Sequence, residues 1–569
     1  MTYVFEDPKN FPADALKGLA AAYPDDILRV HGGVVRARAT PEGQPALVIG
    51  GGSGHYPAFA GWVGPGLGHG SPCGNVFASP SSEQVYSVAK NADGGSGVIL
   101  GFGNYAGDVL HFGVAAEKLR AEGVDVRIVK VSDDVASNDP EHHRDRRGIA
   151  GDFVVFKVAG AAIQAGADLD EAERVAWKAN DATRSLGVAF DGCTLPGADD
   201  ALFHVPAGTM AIGLGIHGEP GVDEVPMESA SALAARLVDG ALAEAPEAAL
   251  NGDKRVAPLL NGLGTVKYEE LFLLWGYVAD ELTSRGYTLV RPEVGEHVTS
   301  LNMAGVSLTL MHLDDELEEL WLAPADAPAY RRGGAVAGDL GGERGAVYAP
   351  GDDPIPEASA ESQASAARIL ETLVAIQGLL EEQEEALGAM DAIAGDGDHG
   401  QGMVLGVREA VRVATAAVER GAGARTVLVQ AGAGWSIGGG GTSGALWGAL
   451  LTAVGSGFSD DAAVEDAQIA PALVRGVEAV VRLGGARVGD KTMVCAALPF
   501  AEALEADDRE AGAAVRAAAE IAAERAEATK DIRAVLGRAR VLKEKSIGTP
   551  DPGAVSFSMI AALVGERLG

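Results

Sequence analysis

The chain has 569 residues, too many for a single hydrophobic core, so two or three domains are expected. Its formal net charge of −35 argues against a nucleic-acid or membrane partner, because anionic surfaces would repel it. The three cysteines are far apart, which excludes a disulfide framework or a zinc cluster and favours the reducing cytoplasm. No basic region followed by an apolar run opens the chain, so no signal peptide is expected.

Residues 1–325 alternate short β-branched runs with stretches of helical periodicity. Four runs are predicted to be buried strands: Pro45–Ile49, Gly97–Phe102, Asp125–Val131 and Thr209–Ile216. Helices are predicted between them, at Asp108–Glu122 and Met227–Ala243. This alternation predicts an α/β domain with a largely parallel sheet.

The composition changes at residues 326–361, which are rich in Gly, Pro and Asp and show no periodicity, as is typical of a linker. From 362 to 569, Ala, Glu, Leu, Val and Arg dominate at helical spacing. The plainest predicted helices are Ala366–Met390, Met403–Glu419, Asp461–Leu483 and Ala501–Gly537. The second domain is therefore predicted to be all-α.

Three carboxylates within eight residues give the most specific local signal: Asp391, Asp396 and Asp398. Their spacing does not place them on one helical face, so the chain must turn at Gly395 and Gly397 to bring them together. Such an oxygen cluster suits a hard divalent cation whose other ligands come from water and phosphate. A plain capping and turn cluster is the alternative.

A glycine-rich segment, Ser436–Gly444, precedes an apolar helix that is predicted to open at Leu446. Its glycines and the hydroxyls of Thr442 and Ser443 would make a phosphate cradle, because bare amides and the helix dipole both face an anion. A flexible turn with a helix cap is the alternative. Two later segments are candidate loops that would close the same site: Lys545–Gly548 and Asp551–Gly553.

In the first domain, glycine-rich segments with a histidine or an aspartate follow three predicted strands. These segments are Gly50–His55, Asn104–Asp108 and Gly215–Pro220. Small ligands of open α/β sheets bind beyond the carboxyl ends of strands. We therefore expect His55, Asp108 and His217 to lie in one site, although a lone histidine is more often structural.

Three other glycine patterns are weaker indications of a nucleotide-binding site. Gly213–Gly218 matches the dinucleotide pattern, but no helix is expected to start after it. Gly101–Ala106 has a strand before it and a helix after it, so a nicotinamide-dependent oxidoreductase stays open as an alternative. Gly484–Lys491 has one residue too many before its lysine for a P-loop, but a nucleotide contact there stays open.

In their order along the chain, these motifs resemble the dihydroxyacetone kinase family in its single-chain, ATP-dependent form. The N-terminal motifs are Gly-Gly-Gly-Ser-Gly-His55, Asn-Tyr-Ala-Gly-Asp108, Arg-Arg-Gly-Ile-Ala150 and Gly-Ile-His217-Gly-Glu-Pro-Gly. The C-terminal motifs are Gly-Asp396-Gly-Asp398, Gly-Asp-Lys-Thr492-Met493 and Asp551-Pro-Gly. The resemblance implies a ketose-binding domain of two α/β subdomains, an ATP-binding all-α barrel of antiparallel helices, and a homodimer.

For the first domain, the resemblance implies that His217 holds the substrate ketone covalently as a hemiaminal, which selects carbonyl compounds over glycerol. His55 and Asp108 would be the acid/base pair on the accepting hydroxyl. Four further positions would line the substrate: Gly52, Ser53, Gly54 and Gly103.

For the second domain, the resemblance implies that Asp391, Asp396 and Asp398 hold two Mg²⁺ ions on the phosphates of ATP. The residues expected around the nucleotide are His399, Gly400, Gln401, Gly402, Thr442, Ser443, Gly485, Thr492, Met493, Lys545, Asp551, Pro552 and Gly553. Metal ions would neutralise phosphate charge that so acidic a chain would otherwise repel.

Three places depart from the family's pattern. Gly103 stands where the family often has lysine, and Tyr56 where an acidic residue is common. Both changes remove charge beside the ketose and resemble the four-carbon-ketose branch, so erythrulose is favoured over dihydroxyacetone. A side chain at position 103 is expected to point into the pocket, so that glycine would add volume. Val494 and Cys495 stand where an aspartate often follows the Thr-Met pair, which leaves one nucleotide contact open.

Two further alternatives stay open. A phosphotransferase-system module or a coregulator would bind ligand without turning over ATP, although the fusion of both halves in one chain favours direct use of ATP. A nucleotide-cyclising side reaction is the other.

Overall fold

The computed structural model describes residues 2–246, 254–333, 354–393, 397–535 and 543–568. The chain forms two compact units, Met1–Leu340 and Gly341–Gly569.

The first unit begins with a seven-stranded sheet. Its strands are β1 Ile27–Val30, β2 Gly33–Arg36, β3 Ala46–Ile49, β4 Gly51–Ser53, β5 Gly70–Val76, β6 Val98–Gly103 and β7 Val126–Val131. They pair in the order β1-β2-β5-β3-β6-β7, with β4 paired to β5. In this order, the neighbouring strands β5, β3, β6 and β7 run parallel, whereas β1 and β2 pair antiparallel with their neighbours. The prediction of a parallel sheet therefore holds for these four strands. The helices along this part of the chain are α1 Phe11–Ala22, α2 Ser82–Ala92 and α3 Ala106–Ala121.

A second seven-stranded sheet follows. Its strands are β8 Thr183–Asp191, β9 Thr209–Ile212, β10 Asp223–Pro226, β11 Arg255–Gly262, β12 Thr288–Leu289, β13 Glu293–Gly295 and β14 Ala304–His312. Here the prediction of a largely parallel sheet is wrong, because β14 returns between β8 and β11 and runs antiparallel to both. The strand predicted at Thr209–Ile216 ends at Ile212, since Gly213 takes a φ of +70° that breaks the extended backbone.

One helix of the first unit is buried along almost its whole length. The helices that accompany the second sheet are α4 Gly151–Gln164, α5 Leu169–Asp181, α6 Ala230–Leu242, α7 Tyr268–Ser284 and α8 Asp315–Leu322. Every residue of α4 up to Ile163 is buried, as expected for a helix that is apolar on all sides. Its side chains share one hydrophobic core with strands of both sheets. The polar residue near its start, Asp152, is therefore carried into the interior.

The predicted linker starts too early. β15 Ala325–Ala327 and β16 Tyr330–Arg332 form an antiparallel pair, and Ala327 and Tyr330 are buried in the core of the first unit. Residues 334–353 of the predicted linker lie outside the described part of the chain, and the next helix begins at Ala360.

The described part of the second unit contains eight α-helices and no strand. They are α9 Ala360–Asp391, α10 His399–Glu419, α11 Ala424–Gly439, α12 Gly441–Gly455, α13 Asp466–Gly484, α14 Val494–Glu505, α15 Ala511–Ala528 and α16 Pro552–Leu568. Each helix packs against the next, and α9 packs against α16, so the helices close into a ring. Consecutive helices joined by short connections run antiparallel. The predicted α/β and all-α architecture is confirmed.

One predicted helix of the second unit is wrong in its extent. A single helix was predicted from Ala501 to Gly537. Instead, a turn separates α14 from α15, and α15 ends at Ala528. The break is a turn in which the carboxylate of Asp507 accepts the backbone N–H of Arg509 at 3.0 Å. A side chain that bonds its own backbone in this way competes with the helix. Among the described residues, no helix combines the length and apolar character that a membrane span requires.

Candidate active sites

His55 ends the glycine-rich segment after β4, and its side chain is buried. Its Nδ1–H donates a hydrogen bond of 2.6 Å to the carbonyl oxygen of Thr299. This leaves Nε2 of His55 facing Nε2 of His217 at 3.0 Å. Burial, followed by the charge of His217, lowers the pKa of His55 to about 3, so this ring is neutral near pH 7.

His217 lies in the turn after β9, and its side chain is 23% exposed. Its Nδ1 lies 3.1 Å from Oε1 of Glu219, and the other oxygen of Glu219 accepts the backbone N–H of His217. Burial alone would raise the pKa of Glu219, but the hydrogen bond and charge of His217 outweigh burial and lower it to about 2. Glu219 is therefore ionised, and it holds a proton on Nδ1 of His217.

The contact between the two Nε2 atoms requires a proton between them. Both Nδ1 atoms face acceptors, the carbonyl oxygen of Thr299 and the carboxylate of Glu219. The two imidazoles thus lie close enough for a proton to pass between their Nε2 atoms.

Asp108 lies in the first turn of α3 with a buried carboxyl group. Burial raises the pKa of Asp108 to about 6, against a 2.7 Å hydrogen bond donated by the hydroxyl of Ser79, which lowers it. The charge of His217 also acts on this carboxyl. The structure therefore brings His55 and His217 into contact, with Asp108 near enough for the charge of His217 to act on its carboxyl group. A carboxyl with a pKa near 6 can serve as a base near neutral pH.

Gly52, Ser53 and Gly54, which were predicted to line the substrate, border a cavity of about 650 Å³ together with residues of α1. The residues that line this cavity do not include His55, Asp108, His217 or Gly103. The hydroxyl of Ser53 already donates to the carbonyl of Gly74 at 2.6 Å. A Cβ would lie 2.8 Å from the backbone of Ala78 at Gly52, and 2.8 Å from the ring of Phe77 at Gly54. These glycines let Phe77 approach the histidine pair, where its ring centroid is 5.1 Å from that of His55.

The sequence predicted that Gly103 adds volume to the ketose pocket, but the structure leaves little free space beside this glycine. A Cβ on Gly103 would lie 3.2 Å from Oδ2 of Asp152 and 3.3 Å from Cε2 of Tyr105. These distances are tighter than ordinary van der Waals contact. A carboxyl group and an aromatic ring therefore already lie against this glycine.

Sequence reasoning missed the residues that orient the catalytic groups. Glu219, Ser79 and Thr299 each hydrogen-bond one of the three predicted catalytic side chains. Glu219 could have been found, since an acid two residues after a histidine in a glycine turn can reach its ring. Thr299 could not, because 244 residues separate it from His55.

The glycines of the possible nicotinamide site serve packing instead. Gly101 is buried in β6, and a Cβ there would lie 2.6 Å from the ring of Phe156 in α4. A dinucleotide needs such glycines to expose backbone to its pyrophosphate, and Gly101 does not.

In the second unit, a cavity of about 730 Å³ collects most of the residues predicted around ATP. The predicted nucleotide and metal residues that line it are Asp391, Asp398, His399, Gln401, Gly402, Thr442, Ser443, Thr492, Met493, Asp551, Pro552 and Gly553. Gly400 instead faces α9, where a Cβ would lie 2.0 Å from the carbonyl of Glu384. Gly485 ends α13 in the left-handed conformation, and Lys545 is exposed; neither lines this cavity.

The glycine cradle lies between two helices. The helix was predicted to begin at Leu446. It begins at Gly441 instead, so Thr442 and Ser443 lie in the first turn of α12. Gly440 and Gly441 have φ values of +53° and +51°, which other residues rarely adopt. A Cβ at either glycine would meet nothing within 4 Å. The backbone here is open to a ligand.

Two of the three predicted metal ligands lie in the described part of the chain. Asp391 and Asp398 line the cavity, whereas Asp396 lies outside the described residues. Burial raises the pKa of Asp551 to about 6, and the charge of Asp391 adds to this effect. Asp391 and Asp398 line one cavity, and their carboxylates are ligands suited to a hard cation such as Mg²⁺. Without Asp396, no group of three metal-ligating side chains forms among the residues described.

Lys491 is a buried residue of this cavity to which the sequence gave no separate role. Its ammonium donates to the carbonyl oxygens of Ser546 and Thr549, the second at 2.8 Å. It therefore fixes the segment that leads to Asp551. Cys495 is also buried, and its sulfur accepts the backbone N–H of Gly489 at 3.4 Å.

Comparison with known proteins covers both units. Residues 17–329 match the Dak1 domain and residues 393–565 match the DAK2 domain. The chain is 61% identical to L-erythrulose 1-kinase and 52% identical to D-erythrulose kinase, both of Mycolicibacterium smegmatis. These alignments cover all of this chain and 100% and 98% of the two relatives.

Among solved structures, the dihydroxyacetone kinase of C. freundii in complex with AMP-PNP and Mg²⁺ is similar, with a TM-score of 0.60 and 30% identity. The match covers 99% of each chain.

Proposed function

The chain belongs to the dihydroxyacetone kinase family and is an ATP-dependent ketose kinase, and we propose that it phosphorylates a terminal hydroxyl of erythrulose. Support for the four-carbon ketose is the higher identity to two relatives named for erythrulose, 61% and 52%, than to the dihydroxyacetone kinase of C. freundii, 30%. The L-enantiomer is the first substrate to test, because the relative at 61% is named for it.

The observation that carries the mechanism is the contact of 3.0 Å between Nε2 of His217 and Nε2 of His55. When ketose enters, the proton between the two Nε2 atoms passes to His55, and the lone pair on Nε2 of His217 attacks the carbonyl carbon. A C–N bond forms as the carbonyl π bond breaks, and His55 returns the proton to the oxygen. The product is a hemiaminal, whose imidazolium charge is balanced by Glu219.

Asp108 then acts on the hydroxyl that accepts the phosphoryl group. Its carboxylate takes the hydroxyl proton as the oxygen bonds to the γ-phosphorus of ATP, and the bond from that phosphorus to the bridging oxygen breaks to release ADP. Ser79 keeps Asp108 ionised above about pH 6, because its hydrogen bond opposes the effect of burial.

The second unit would hold the nucleotide. Asp391 and Asp398 would hold Mg²⁺, with Asp396 as a third ligand, and we propose two ions as the resemblance implies. Bound Mg²⁺ neutralises the charge of the phosphates. Thr442 and Ser443, in the first turn of α12, would donate hydrogen bonds to phosphate oxygens beside the open glycine backbone. We also propose that the protein acts in the cytoplasm as a homodimer.

A substrate panel tests this function. ADP release by the wild type is measured with L-erythrulose, D-erythrulose, dihydroxyacetone, glyceraldehyde and glycerol, at saturating ATP and Mg²⁺. We expect the highest kcat/KM for one erythrulose enantiomer and no turnover of glycerol, which has no carbonyl. A ketose labelled with ¹³C at its carbonyl should show a tetrahedral carbon signal when bound. Turnover of glycerol at the rate of the ketoses, or a carbonyl signal alone, would exclude the hemiaminal.

A further inference from the structure

We infer that the carboxyl group of Asp152 and the hydroxyl of Tyr105 both hydrogen-bond the additional hydroxyl of a four-carbon ketose, which dihydroxyacetone lacks. This inference rests on the proposed ketose kinase activity. It assigns substrate selection to two residues that take no part in the chemistry.

Both side chains end in a buried polar atom without a partner among the described residues. Oδ1 of Asp152 and the hydroxyl of Tyr105 have no hydrogen bond. Buried polar atoms are almost always paired, since leaving one unpaired costs free energy. Two such atoms, on residues that both border Gly103, indicate that a ligand supplies the missing partners.

The two residues are neighbours of each other and of the nucleophile. The space that a Cβ of Gly103 would take is bordered by Oδ2 of Asp152 on one side and by the ring of Tyr105 on the other. The ring of Tyr105 packs edge-on against that of His217, with centroids 4.8 Å apart. A ketose bonded to His217 would therefore have Tyr105 beside it and Asp152 just beyond.

The environment of Asp152 favours an uncharged carboxyl group. Burial, and then the charges of Asp133 and Asp108, raises its pKa well above the ordinary value. Asp133 accepts the backbone N–H groups of Ile149 and Gly151 at the start of α4, so these donors are not left for Asp152. A neutral carboxyl both donates and accepts, which suits a hydroxyl.

This arrangement changes the account of specificity at position 103. Where the family often has a lysine, this chain has a glycine with a carboxyl group lying against it. The site therefore exchanges a cation for a neutral hydrogen-bonding acid, rather than gaining empty volume. A site built to bond a substrate hydroxyl discriminates strongly against an analogue that lacks it.

Three variants test the inference, and the readout is the ratio of kcat/KM for erythrulose to that for dihydroxyacetone. Asp152→Leu removes both polar oxygens, and Tyr105→Phe removes a single oxygen without adding volume. We expect each to lower the ratio about 5- to 30-fold, with kcat/KM for dihydroxyacetone changed by less than about threefold. Asp152→Asn keeps a donor and an acceptor, and should stay within about threefold of the wild-type ratio.

The possible outcomes are distinct. The melting temperature of unliganded Tyr105→Phe should equal or exceed that of the wild type, because an unpaired buried hydroxyl is removed. An unchanged ratio in folded Tyr105→Phe and Asp152→Leu overturns the inference. So does an equal loss on both ketoses with a lowered melting temperature, which would mark a structural role. Failure of the wild type to phosphorylate any ketose would instead overturn the proposed function.

Discussion

The two candidate sites are held in place in different ways. In the first unit, the reactive side chains are fixed by one another and by backbone: Thr299 holds His55, Glu219 holds His217, and Ser79 holds Asp108. In the second unit, the cavity is bordered by helix ends and by glycines such as Gly440 whose backbone is open. The first site is arranged before its ligand arrives. The second concentrates carboxylates whose mutual repulsion a cation would relieve.

The largest effect is expected at the metal ligands. Asp398→Asn removes one carboxylate from the nucleotide cavity and should lower turnover at least about 10²-fold, because phosphate charge is no longer neutralised. ADP release measured across a Mg²⁺ titration checks this. The ¹³C signal of bound ketose should be unchanged, since the first site does not depend on the second. Near-normal kcat at saturating Mg²⁺ in a folded variant would contradict the assignment.

A comparable loss, confined to the first site, is expected for His217→Ala. Without Nε2 no hemiaminal forms, so kcat/KM for the ketose should fall about 10²- to 10⁴-fold. Nucleotide binding measured by calorimetry should be unaffected. Glu219→Gln is the matched control: it keeps the shape but not the charge beside Nδ1, and should cost less. If His217→Ala kept the wild-type KM for the ketose, the covalent mechanism would be excluded.

The pH profile separates the two sites. A base with a pKa of about 6 must lose its proton to act, so kcat/KM should rise with pH through about 6 and then level off. Asp551, in the second unit, titrates in the same range. Ser79→Ala decides between them, because it removes the hydrogen bond that lowers the pKa of Asp108 and should move the midpoint upward. An unmoved midpoint would assign the profile to Asp551 instead.

The smallest predicted effect is a change of preference. Gly103→Lys places an ammonium group beside Asp152, where the pair can ionise, and should shift specificity toward dihydroxyacetone by about one to two decades in kcat/KM. Gly103→Ala adds only a Cβ and is the control for crowding against Asp152 and Tyr105. The same shift in both variants would show that space, not charge, sets the preference.

The sequence was most informative where a short segment supplies a whole function. The glycine segment ending at His55 and the acidic segment at Asp391–Asp398 were found by their local composition, and periodicity separated the α/β half from the helical half. The antiparallel second sheet was missed because pairing of β14 with β8 and β11 is not visible in any one strand. Asp152 was missed for a similar reason. Only the burial of α4 makes its carboxyl unusual.

The ring of helices has a consequence for how the protein is made. α16 follows the other seven described helices of the second unit along the chain, yet it packs against α9, the first of them, and carries Pro552 and Gly553 of the nucleotide cavity. A nascent chain that stops before α16 already contains the complete first unit. Its helical half, however, exposes apolar surface of α9 that α16 would cover. Until α16 is made, the helical half lacks Pro552 and Gly553 of its nucleotide cavity, and its exposed apolar surface is a target for chaperones.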